Sequence, residues 1–188
     1  MGVGVAPRAS AVKVAVAFLI GAAVAVGLGV YGRVHDPTGR AIFTLFFSGM
    51  LNLKVWFATA AFTCALFQLL TALRMYGKLR VPRVAPSWLG DAHRLSGTLA
   101  FLFSLPVAYH CLWALGFERH PDHLRRFVHS IAGCFFYGAF TAKVVIVRSR
   151  RLPGWALPVA GGAVLSALVV IWLTSALWFF RDVGFPRF

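Results

Sequence analysis

The chain has 188 residues, of which 60% are apolar and 13% charged, and its 19 Lys+Arg against 5 Asp+Glu give a formal net charge of +14. A soluble domain carries about 25% charged residues, so this composition excludes a soluble globular protein, a disordered chain and a nucleic-acid-binding domain. The basic residues stand in short breaks between long apolar runs, the pattern of a polytopic membrane protein. Arg outnumbers Lys by 15 to 4, the bias of a GC-rich bacterial genome.

A membrane-crossing helix needs about 20 mostly apolar residues. Five stretches meet this, and the expected fold is an all-α integral membrane bundle of five transmembrane helices, one polytopic domain over residues 1–188. The expected spans are 14–31, 50–73, 92–117, 124–147 and 156–180. The first follows Arg8 and Lys13, which resemble the basic region of a signal peptide. Its apolar run is longer than a signal core of about 7–15 residues, and no small-x-small cleavage site follows. It is therefore read as a retained helix.

Between the first and second spans, residues 41–53 (AIFTLFFSGMLNL) are also apolar. Joined to the second span they would make a helix of about 50 Å, too long for one crossing, so part of this stretch is expected at the interface. Lys and Arg counts set the orientation. The N-terminus, second loop and fourth loop carry 11 of them, and the opposite side carries 7. This puts the N-terminus in the cytoplasm and the C-terminus outside, in a bacterial cytoplasmic membrane. Trp56, Trp113 and Trp178 then fall near outer span ends and Trp88 and Trp155 near inner ones, as an aromatic belt does.

Ionisable groups inside a span are costly and mark functional sites by default. His35, His120 and His123 fall in outer loops and read as solvated. His93 and His110 fall in the third span and His129 in the fourth. The turn between these spans centres near residue 119, and His110 and His129 are almost equidistant from it, hence at equal depth near the outer face. Two level imidazoles on adjacent helices can hold the iron of a b-type haem between them. Gly133, one turn after His129, leaves room for a flat macrocycle. Arg125 and Arg126, one turn before it, can pair with haem propionates, as can Lys54. Snorkelling to headgroups explains the same three cations without a haem.

A second level is less complete. His93 lies near the inner end of the third span with Gly97 four residues on. The matching level of the fourth span offers only Lys143, which reads first as a snorkelling residue, then as a propionate partner, then as a weak axial ligand. One haem is expected rather than two. Pro106, four residues before His110, removes a backbone bond and is expected to kink the third helix.

Cys64, Cys111 and Cys134 lie within spans, form no CxxC pair and read as small hydrophobes. No GxGxxG, P-loop, HExxH or GxSxG motif occurs. The acids Asp36, Asp91, Glu118, Asp122 and Asp182 lie outside the spans or at their edges, which speaks against a proton-coupled transporter. No residue is assigned to bond-making chemistry.

The stretch HRLSG at His93, followed by His110 and His129 on a helical hairpin, resembles haem-bearing bundles of the cytochrome b561 and ferric-reductase-like kind. The chain departs from them in having no histidine in the second span and lysine at position 143. The stretches GLGVYGRVHDPTGRA, LPVAYHCLWALGF and SRRLPGWALPVAGG resemble a small actinobacterial multi-pass family without assigned function, whose members accompany Rieske-type iron–sulfur proteins. That resemblance implies a redox role beside an outer-face Rieske-type protein, cytochrome or quinol, within the lipid of the membrane. The expected function is electron transfer through one haem b held by His110 and His129 near the outer face. The alternative is a cofactor-free membrane scaffold or anchor subunit of a larger complex.

Overall fold

The computed structural model describes residues 7–80, 84–149 and 152–188. Arg83, Arg150 and Arg151, counted above for orientation, lie outside the described residues. The fold is all-helical, and no strand occurs among the described residues. The helices are α1 (Pro7–Val34), α2 (Met50–Met75), α3 (Leu89–Tyr109), α4 (Leu124–Arg148), α5 (Ala156–Trp172) and α6 (Trp178–Asp182). A short 3-10 turn, Pro121–His123, leads into α4. Two π turns interrupt the pattern: His110–Leu115 prolongs α3, and Leu173–Leu177 joins α5 to α6. Five helical segments are long and apolar enough to cross a membrane: Ser10–Val34, Met50–Met75, Leu89–Leu115, Pro121–Arg148 and Ala156–Asp182.

The chain forms two compact units. The first comprises residues up to Asp36 together with Gly116–Thr174, and the second comprises Pro37–Leu115 with Ser175–Phe188.

In the first unit α4 packs against both α1 and α5. Val14 and Ala17 of α1, Ile146 of α4, and Ala156 and Ala160 of α5 form its buried core. Lipid tails are as apolar as these side chains, so helices in a membrane associate through close packing of small residues. That packing centres on Gly21 of α1 and Gly138 of α4. A Cβ on either would stand 2.5 Å from the other's carbonyl oxygen, with Ala25 and Ala142 beside them at 2.8 and 3.0 Å. Each glycine has an alanine four residues later, a small-xxx-small pair on each side of the crossing.

In the second unit α2 packs against α3. Gly77, at φ +69, closes α2, and the amides of Lys78 and Leu79 both donate to Leu73 O. Ahead of α2, His35–Gly49 is not helical apart from short turns. Pro37 supplies no amide, and Gly39 sits at φ +66, which favours glycine. This strap is tied to the π turn of α3: Thr38 N–H donates to Trp113 O at 3.2 Å and Gly39 N–H to Ala114 O at 2.9 Å. The part of the apolar run expected at an interface is thus Ala41–Gly49, and the helix begins at Met50.

The last residues of the chain fold onto the strap and α2. The Phe188 ring stacks on Phe47 at 5.4 Å and on Trp56 at 5.5 Å, and Phe185 meets Trp56 edge-on. Ser48 Oγ donates to Arg187 O at 3.2 Å and accepts from Asn52 Nδ2 at 2.7 Å. Aromatic pairs of this kind add about 0.5–1.5 kcal/mol beyond their burial.

The α1–α4 crossing yields a direct expectation. Gly138→Leu forces two backbones apart and costs about 1–3 kcal/mol, as overpacking does. A Cβ on Gly27, also on α1, meets nothing within 4 Å, so Gly27→Ala leaves stability unchanged or raises it. Thermal unfolding of both variants in nanodiscs distinguishes them, and equal midpoints for the two contradict the crossing.

Candidate functional site

Among the described residues His110 is the most deeply buried polar residue, with no solvent exposure. It opens the π turn that follows Pro106 and Tyr109. Its Nδ1 lies 2.7 Å from Pro106 O, one turn back, and its Nε2 lies 2.9 Å from Phe43 O on the strap. A carbonyl oxygen accepts, and an imidazole with one N–H donates to one of these two carbonyls while its other nitrogen stands beside the second. The rings of Phe43 and Tyr109 enclose the imidazole edge-on at 4.8 and 5.7 Å, and Phe43 in turn stacks on Tyr109. The strap carbonyl, which apolar surroundings would leave unsatisfied at a cost of about 1–3 kcal/mol, is paired by the tautomer that carries its proton on Nε2.

His129 belongs to the first unit. Its Nδ1 lies 3.0 Å from Thr174 Oγ1 in the second π turn. The Thr174 hydroxyl has one proton and donates it to Val170 O at 2.7 Å. With its proton on Val170 O, the hydroxyl accepts from His129 Nδ1. Arg125 Nη1 donates to Thr174 O at 2.7 Å. One residue of the π turn thus receives both a histidine and an arginine from α4. Arg126 points elsewhere, to Glu118 at 3.2 Å. A Cβ on Gly133 would meet nothing within 4 Å, so the space beside that residue is open.

His93 repeats the His129 arrangement in the second unit. Its Nδ1 lies 2.8 Å from Thr71 Oγ1, and Thr71 donates to Gln68 O at 2.9 Å. Gln68 Nε2 donates to His93 O at 3.2 Å. The Gln68 side chain fills the space that a Cβ on Gly97 would need. A macrocycle at this level would meet that glutamine. Lys143 is partly buried on α4 in the first unit, and Lys54 is buried on α2 in the second.

These contacts permit a test of the expected haem. An axial histidine offers iron one nitrogen lone pair and donates from the other nitrogen to an outer partner. His129 has such an outer partner in Thr174. His110 does not fit as it stands, because both ring nitrogens face carbonyl oxygens, and ligation requires it to release Phe43 O or Pro106 O. Among the described residues no group of three or more His, Cys, Asp or Glu side chains is arranged to hold a metal ion. Cys64, Cys111 and Cys134 are free thiols.

Sequence reasoning missed the partners. Thr71 and Thr174 were legible as polar residues within apolar runs. The Phe43 carbonyl was not, since any residue carries one. Glu118 was likewise passed over as a loop acid. Its carboxylate accepts from His120 N–H at 3.2 Å and from Arg126, while Ser130 Oγ accepts from Glu118 N–H at 3.2 Å. The His120 amide, then the Arg126 and His123 charges, hold its pKa below the ordinary 4.5 against the opposing effect of desolvation. A carboxyl lowered on folding stabilises above its unfolded value and loses that contribution as pH falls through its folded value. Wild type is therefore expected to unfold at a higher temperature than Glu118→Gln at neutral pH, with the gap closing on acidification below pH 4.5. A gap that does not change with pH contradicts this role.

No curated protein and no solved structure gives a significant match to the sequence. A match to a known family covers residues 14–187. A chain of five apolar helices, with its intramembrane polar side chains joined to one another and to backbone carbonyls, thus belongs to the family of unknown function DUF6529.

Proposed function

We propose that this protein is a cofactor-free polytopic scaffold or anchor subunit of a membrane complex. The carrying observation is His110, whose two ring nitrogens both meet backbone carbonyls of its own unit. His93, His129, Arg125 and Gln68 behave alike: each has a polar partner on a neighbouring helix of the same unit. Polar groups used in this way favour a role in holding backbone over one in electron transfer. The Lys/Arg distribution supports a bacterial cytoplasmic membrane location, with the N-terminus inside and the strap on the outer side.

A second reading is supported by the Thr174 hydroxyl beside His129 Nδ1, the kind of outer partner that an axial histidine keeps. One haem b held by His129 and His110 is the competing proposal. Arg125 and Arg126 would then lie near the propionates, and the partner would be a Rieske-type protein, a cytochrome or a quinol.

A dithionite-reduced minus oxidised spectrum of protein made under haem-replete conditions separates the two. The scaffold reading expects no α-band, and it expects His110→Ala to lower thermal stability by about 1–3 kcal/mol, since a buried carbonyl loses its donor. A sharp α-band near one haem per chain, lost in both His110→Ala and His129→Ala, overturns it. The reading also expects wild type to recover a partner in fixed stoichiometry after crosslinking in membranes.

A further inference from the structure

Strap and tail share one end of the second unit. The strap joins two membrane-length helices, Ser10–Val34 and Met50–Met75, and the tail follows the last. Irregular backbone cannot face lipid within the hydrocarbon core, where its amides and carbonyls would lack partners. A segment of this kind therefore belongs at the headgroup level. Yet its side chains are apolar and unburied. Ile42, Leu45 and Phe46 are 62%, 56% and 69% exposed on the strap, and Phe185 and Phe188 are 76% and 69% exposed on the tail.

The charges around these side chains are of one sign. Arg40 stands on the strap, and Arg181 and Arg187 flank the tail, all exposed. The one acid of the unit at these elements, Asp182, pairs with Arg181 at 3.6 Å. The Arg40 backbone is fixed by the Thr38 hydroxyl, and the Arg187 carbonyl by Ser48. Cation and aromatic are thus presented on a pinned loop, whereas a free segment would have to be ordered on binding.

We propose that the strap and tail form an interfacial platform for anionic phospholipid, with Ile42, Leu45, Phe46, Phe185 and Phe188 inserted at the acyl boundary and Arg40, Arg181 and Arg187 engaging headgroup phosphates. Apolar insertion together with cationic attraction is the physics of monotopic membrane contact. The excess of cations selects an anionic leaflet over a zwitterionic one.

The test uses full-length protein in nanodiscs of phosphatidylcholine with or without phosphatidylglycerol. A nitroxide is attached at Phe46→Cys in a C64A/C111A/C134A background. Power saturation should report strong oxygen and weak water-soluble relaxant accessibility, at a depth just below the phosphates. Native mass spectrometry should show phosphatidylglycerol retained over phosphatidylcholine. The R40Q/R181Q/R187Q variant should lose about a hundredfold of that preference, from three surface cations. These arginines are exposed, so the variant should keep the wild-type unfolding midpoint. Water-exposed nitroxide overturns the proposal. So does an unchanged lipid preference in the triple variant, or a label shielded from both relaxants only when a copurifying protein is present.

Discussion

A backbone carbonyl removed from water must find a donor, and in a membrane that donor must come from the protein. Most of this chain meets the demand with α-helical ladders. The exceptions are the two π turns and the strap, where the helical register shifts or is absent. Buried His110 stands at the first π turn, and Thr174 stands in the second. His110 serves the strap and the turn behind it, and His129 and Arg125 serve Thr174. His110 is best understood from the backbone carbonyls beside it, and His93 and His129 from the threonine hydroxyls they meet.

The same constraint separates the two units by the means each uses. The first relies on proximity: Gly21 and Gly138 let two helices approach until backbone meets backbone. The second relies on polar clamps: Gln68 enters the space at Gly97, Thr71 holds His93, and the strap closes over Tyr109 and His110. Small-residue crossings give packing without polar cost, whereas intramembrane hydrogen bonds add about 1 kcal/mol each.

The fold class was legible because long apolar runs punctuated by arginine leave few alternatives. The apolar residues from Ala41 onward were also legible as too many for one helix, and the observed strap resolves that excess. The partners of the histidines were not legible. Equal spacing about a turn speaks to depth along a helix, but the direction of a ring depends on a π shift after Pro106 that composition does not encode. Gly97 illustrates the same limit: an absent side chain signals space, and only the neighbouring helix reveals that a glutamine fills it. Gly133, by contrast, does border open space.

What unites these features is a single claim, that His110 is a tie between the strap and the helix it crosses. Rotational-echo solid-state NMR in bilayers reads this contact directly, with histidine ring 15N and a 13C carbonyl label at phenylalanine, compared with Phe43→Leu to assign the pair. The account predicts dephasing of His110 Nε2 by the Phe43 carbonyl carbon at a separation of roughly 4 Å, as a hydrogen bond requires, lost in the Phe43→Leu sample where that carbonyl is unlabelled. Absence of dephasing in the wild type, with a His110 nitrogen shifted and broadened by iron, would contradict it.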